Sequence, residues 1–175
     1  MSLSTDLKQP YSHKLIGLNP YFTEMVKLYK LNKFPKVLLL NGRKGIGKFT
    51  LVFHFINYIF SKNENSPYNL QDKVINIKSP FYNLLTNKIS QNIILLQAEE
   101  NKNIKIDDIR FLKSKLSNTT LSKNSRFIVI DEVEFLNNNS FNALLKTLEE
   151  PSDNNFFILI NNQQADLVET ISSRC

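Results

Sequence analysis

The chain has 175 residues, 42% of them hydrophobic and 22% charged, enough to bury one full core and too few for two large domains. Its 13 Phe and 6 Tyr exclude disorder, the lack of any apolar run near about 18 residues excludes a membrane-spanning helix, and a lone cysteine, Cys175, excludes a disulfide framework or four-cysteine zinc site within the chain. The formal charge of +6 rests on 18 Lys and 4 Arg beside 23 Asn and 3 Ala, a pattern that AT-rich codons produce, so it argues only weakly for a nucleic-acid partner.

Residues 1–14 are polar and read as a flexible leader. No secretory signal opens them, since Met1, Ser2, Leu3, Ser4 and Thr5 run into Asp6, and the cytoplasm is the expected location. Residues 20–31 place Phe22, Met25, Val26, Leu28 and Tyr29 at helical spacing, with Asn19 as N-cap and Pro20 at the first helical position. Residues 37–40 are a short apolar run before a glycine-rich turn and predict a buried strand. Residues 50–60 are apolar almost all round, as in a helix packed on several sides. Residues 61–90 read as loops with one short helix at 81–85.

Further strands are expected at 92–97, 126–130 and 156–160, and helices at 107–116, 139–149 and 165–172. Acidic residues open the 107–116 helix, where its dipole favours them, and Pro151 stops the 139–149 helix. Strands alternating with helices, without hairpin signals, predict an α/β fold with a parallel sheet.

Three of the chain's four glycines fall in Gly42, Arg43, Lys44, Gly45, Ile46, Gly47, Lys48, Phe49, Thr50, between an expected strand and an expected helix. Such a loop turns backbone N–H groups inward, the helix N-terminus adds positive potential, and Lys48 supplies a cation, so the chemistry is phosphate binding. Phe49 departs from that pattern. A Ser or Thr after the P-loop Lys normally ligates Mg²⁺, and Thr50 comes one residue late, turned by about 100° on a helix. Thr50 and Asp131 are the candidate Mg²⁺ ligands, with Mg²⁺ expected to be held poorly.

Residues 127–130 end in Asp131 and Glu132. Beyond a buried strand, Asp131 would hold a metal's water shell and Glu132 would polarise an attacking water; the competing reading is that both acids cap the next helix. His54 and His13 lack a second ligand at metal spacing and read as packing and surface residues.

Ser140, Phe141, Asn142, Ala143, Leu144, Leu145, Lys146, Thr147, Leu148, Glu149, Glu150 and Pro151, followed by a strand and by Thr170, Ile171, Ser172, Ser173, Arg174 and Cys175, resemble the clamp-loader branch of the AAA+ proteins, specifically bacterial DNA polymerase III clamp-loader subunits. The resemblance runs from about residue 15 to residue 175. Within that group the absence of cysteines in 61–90 and the Gly45, Ile46, Gly47, Lys48, Phe49, Thr50 loop are similar to delta-prime subunits rather than gamma/tau motors.

The resemblance implies a P-loop AAA+ three-layer αβα domain over 15–175, truncated before the fifth strand of a 5-1-4-3-2 sheet, with lid and collar domains absent from this chain. The 37–40 strand would then lie at an open sheet edge, free to pair with another copy or with the leader. It also implies Arg174 as an arginine finger acting in trans, Asn162 as a γ-phosphate sensor with Asn161 turning the chain, and residues 137–140 leading a helix toward DNA. Implied partners are the gamma/tau and delta subunits, the sliding clamp and primer-template DNA, with no membrane; implied cofactors are ATP or ADP with Mg²⁺, and no zinc. An ATPase of the gamma/tau type stays open as the alternative, as do, more remotely, a P-loop kinase and a sequence-independent DNA-binding module.

Overall fold

The computed structural model describes residues 12–98, 103–117 and 125–162. The described residues part into two compact units, one of residues 12–34 and 47–90, the other of 35–46, 91–98, 103–117 and 125–162. The chain passes from the second unit to the first within the glycine loop, between Ile46 and Gly47.

The first unit is helical and aromatic. Helix α1 (Asn19–Lys30) buries Phe22, Met25 and Val26, the spacing expected. Asn19 is not its N-cap: Leu18 takes that place, and the Asn19 carbonyl accepts from Thr23 instead. In α2 (Lys48–Phe60) residues 51–58 are all buried, which explains why apolar side chains surround this helix. Phe34 stacks on Phe55 with ring centroids 4.9 Å apart, Phe22 meets Tyr68 at 5.5 Å, and Phe60 stacks on Phe81 of the short helix α3 (Pro80–Thr86) at 4.8 Å. Glu64 fixes the start of α3 by accepting from the Phe81 N–H at 2.8 Å and from the Ser79 hydroxyl, while Ser79 accepts from the Tyr82 N–H.

Residues 12–14, expected to belong to a flexible leader, are anchored in this unit. The Ile75 N–H donates to the His13 carbonyl at 2.8 Å, and Lys14 bridges Val74. His54 is fully buried; its Nε2 lies 2.8 Å from the Ser12 carbonyl and its Nδ1 2.9 Å from the Tyr68 hydroxyl. A carbonyl can only accept, so Nε2 carries the proton and Nδ1 accepts from Tyr68, a neutral ring. Residues 1–11 lie outside the described residues.

The second unit is a four-stranded parallel sheet, β1 (Val37–Asn41), β2 (Ile93–Leu96), β3 (Arg126–Ile130) and β4 (Asn155–Asn161), in the order β1-β4-β3-β2. Val37 and Ile128 both lie opposite Phe157. Of these four strands β1 stands at one edge.

One sheet face, with Ile94, Leu96, Ile128, Ile130, Phe157 and Leu159, packs with Ile109 and Leu112 of α4 (Ile106–Ser117) and Phe141, Leu144 and Leu148 of α5 (Asn138–Glu149). Phe127, Val129, Ile158 and Ile160 on the opposite face are equally buried, as near-continuous apolar strands of a parallel sheet should be. A single turn of 3-10 helix, Val133–Phe135, follows β3 and escaped the sequence reading. Asn137 caps α5, accepting from the Ser140 N–H at 2.8 Å. Ser140 itself is buried and donates to the Ile104 carbonyl, so its side chain faces inward. The helix expected at 165–172 lies outside the described residues.

Candidate functional site

Because all four strands are parallel, their C-terminal ends meet at one end of the sheet, the usual place for ligands in open α/β sheets. There β1 ends on Asn41 and runs into Gly42, β4 ends on Asn161, β3 leads to Asp131 and Glu132, and β2 leads to Gln97. The Gly42 N–H donates to the Asn161 carbonyl at 3.2 Å, and the Asn161 side chain donates to the Asn41 carboxamide at 3.3 Å. Asn161 is buried within the strand, so it braces the loop's entrance instead of turning the chain. Asn162, the predicted sensor, uses its backbone N–H to reach Glu134 Oε2 at 3.2 Å.

The glycine loop has the backbone its composition predicts. Gly45 and Gly47 have φ of +88° and +91°, a region that residues with a Cβ avoid. A Cβ on Gly47 would also stand 3.3 Å from Leu18 Cδ1, and Gly47 is the residue that opens α2. Lys48 begins α2 and is buried, where the sequence anticipated a mobile cation. Phe49 stacks toward Phe53, one turn on, with centroids 6.5 Å apart. The position that would carry a metal-ligating hydroxyl therefore belongs to an aromatic cluster, with Thr50 the next residue round the helix.

On the acidic side, Asp131 donates its N–H to the Leu96 carbonyl, and its carboxylate accepts from Gln97 at 3.3 Å. Burial, reinforced by Glu132 and Glu134, pushes its pKa up to about 6. Glu132 has left-handed backbone angles, φ 58° and ψ 54°, uncommon for a residue with a side chain. The capping alternative fails for Glu132, which occupies the N-cap position of the 3-10 turn and makes no side-chain cap there. Instead, Lys44 Nζ lies 2.7 Å from Glu132 Oε1. That contact raises the Lys44 pKa, chiefly by the hydrogen bond and attraction of Glu132.

The sheet end thus brings Asn41, Gly42, Lys44, Gln97, Asp131, Glu132, Glu134 and Asn161 together. Lys44, Gln97, Glu134 and the bracing role of Asn161 were missed. Lys44 lies inside the glycine loop and Gln97 in the register of Asp131, which is the signal that could have found them. Among the described residues, no group of three or more His, Cys, Asp or Glu is arranged to hold a metal ion. Phe49 places no oxygen at the position after Lys48, where a metal-ligating hydroxyl would stand. Arg174 lies outside the described residues.

A family model described as DNA polymerase III, delta subunit, matches residues 18–175. The chain belongs to the DNA polymerase III delta'/gamma/tau clamp-loader family. Within this family it is 32% identical over 143 residues to DNA polymerase III subunit tau of Bacillus subtilis, covering 82% of this chain and 24% of that protein. It is 28% identical over 158 residues to subunit delta' of Buchnera aphidicola from Schizaphis graminum, covering 90% of this chain and 46% of that protein. The crystal structure of a DNA polymerase III gamma subunit-related protein from Thermotoga maritima superposes with a TM-score of 0.60 at 21% identity, over 86% of this chain and 43% of that one. That likeness shows the shared α/β fold. The chain spans between about a quarter and about half the length of these relatives.

Proposed function

We propose that this chain is the nucleotide-fold part of a delta-prime type subunit, which binds the phosphates of ATP or ADP on the 42–50 loop and hydrolyses ATP weakly or not at all. Its role would be structural and regulatory: to hold a clamp loader together with gamma/tau and delta subunits, to help place the sliding clamp on primer-template DNA in the cytoplasm, and to offer Arg174 to nucleotide held by a neighbouring subunit. A guanidinium suits that last task because its planar fork stays charged at all working pH values. Lid and collar domains would belong to the longer protein.

Phe49 carries the reading. Its ring packs toward Phe53 where a metal-ligating hydroxyl would be needed, while Gly45 and Gly47 keep positive φ, the glycine conformation that suits a loop wrapped round phosphates. Binding without efficient hydrolysis is the chemistry that this combination favours. The gamma/tau alternative draws support from the 32% identity to a tau subunit and from Thr50 beside Phe49 in the first turn of α2.

Calorimetric titration of the full-length protein with ATP, with and without Mg²⁺, and a steady-state hydrolysis assay test the proposal. Expected are binding that Lys48→Ala removes and turnover at background. Turnover like that of a motor ATPase, abolished by Lys48→Ala or Glu132→Gln, would overturn it in favour of the gamma/tau reading.

A further inference from the structure

The glycine loop carries a second lysine whose ammonium is already engaged. Lys44 sits between Gly42 and Gly45, its side chain 75% exposed, and donates to Glu132 Oε1 at 2.7 Å, where Glu132 is 21% exposed. Asp131 and Glu134 add their attraction to that of Glu132, so the ammonium rests in a field of three carboxylates. Glu132 is held for this contact by left-handed backbone angles, an arrangement that a residue with a Cβ adopts only when its surroundings demand it.

An ion pair with one exposed partner is a weak tie. It forms readily and gives way to a better partner. A polyphosphate is such a partner for an ammonium, since it presents several charged oxygens where a carboxylate presents two. Lys44 also lies on a stem of four carbons, so its charge can change partners without any movement of the sheet.

The geometry points to Lys44 as a second phosphate-binding residue, held in reserve on Glu132, so that the Glu132 carboxylate and the terminal phosphate of a nucleotide compete for one ammonium. Nucleotide binding and release of Glu132 are then two sides of a single exchange. This inference rests on the reading of the 42–50 loop as a nucleotide site. A purely structural surface pair has no such consequence, because its loss would leave nucleotide affinity unmoved.

The test is calorimetric titration of ATP into the full-length protein at low salt, where exposed charges are least screened. The proteins are wild type, Glu132→Gln, Lys44→Met, Lys44→Arg, the Lys44→Met/Glu132→Gln pair and Lys48→Ala. Glu132→Gln frees the ammonium in advance and should tighten ATP about two- to five-fold. Lys44→Met should weaken ATP, Lys44→Arg should restore wild-type affinity, and the double variant should match Lys44→Met.

An equal gain from Glu132→Gln whether Lys44 is present or replaced by methionine would mean general relief of negative charge and would overturn the exchange. ATP binding that needs Lys48 yet ignores Glu132 and Lys44 overturns the exchange while leaving the nucleotide reading intact. No ATP binding by any of the proteins overturns both.

Discussion

Replacing Asp131 by Asn should make the fold more stable at neutral pH, although Asp131 stands at the centre of the candidate site. Its carboxyl pKa is pushed from 3.8 to about 6, first by burial and then by the charges of Glu132 and Glu134, against the opposing hydrogen bonds from Gln97 and the Glu132 backbone. Below the lower value both folded and unfolded chains hold the proton, and the group costs nothing. Between the two the unfolded chain ionises first, so stability falls as pH rises, and above about 6 the full cost is present.

A shift of that size corresponds to about 3 kcal/mol. Solvent reaching a half-buried carboxylate reduces the expected gain to ~1–2 kcal/mol. Asn keeps an oxygen that can accept from Gln97, 3.3 Å away, so the substitution removes the charge without orphaning its neighbour. Urea unfolding of both proteins in EDTA, from acid to neutral pH, reads the effect. The advantage of Asp131→Asn should be near zero at about pH 3 and reach a plateau at about pH 7. A variant equally stable or less stable at every pH would refute the argument that burial strains this carboxylate.

His54→Phe strands the buried Tyr68 hydroxyl and the Ser12 carbonyl, and should cost ~2–4 kcal/mol in urea unfolding; a loss under ~0.5 would contradict the two hydrogen bonds. Burial lowers the His54 pKa below 6.5, so wild-type stability should fall as pH drops through that value, when the unfolded histidine charges first, and the variant should lack that slope. Ser140→Ala leaves the buried Ile104 carbonyl without its donor and should lower stability by ~1–3 kcal/mol in thermal unfolding, whereas an exposed serine would show no change. Glu64→Gln weakens the charge-assisted cap on Ser79 and Phe81 and should raise hydrogen exchange in α3 while leaving β3 protected; uniform exchange in both would sink that role.

Much of the fold was legible along the chain. The spacing of Phe22, Met25 and Val26 announced α1, the continuous apolar runs announced β1, β3 and β4, and the glycines announced the turn after β1, where Gly45 and Gly47 take positive φ. Periodicity and glycine conformation are local properties, so they survive in a one-dimensional reading. The misses have a common cause. Asn19 looked like a cap because it precedes Pro20, yet the helix already starts on Asn19 and its N-cap is Leu18. Residues 12–14 looked like free leader because their partners, Val74, Ile75 and His54, are distant in sequence.

The same division runs through the site. Sequence alone determined that the chain has a phosphate-type loop, an acidic strand end and an aromatic residue in place of a metal-ligating hydroxyl, because each is a matter of which residue types follow one another. It also pointed to the family, through the residues at 140–151. Only the tertiary structure decided that Lys44 rests on Glu132, that Gln97 serves Asp131, and that Asn161 braces Asn41. Those pairings join strands far apart in the chain, and a parallel sheet brings them together only once its order, β1-β4-β3-β2, is set.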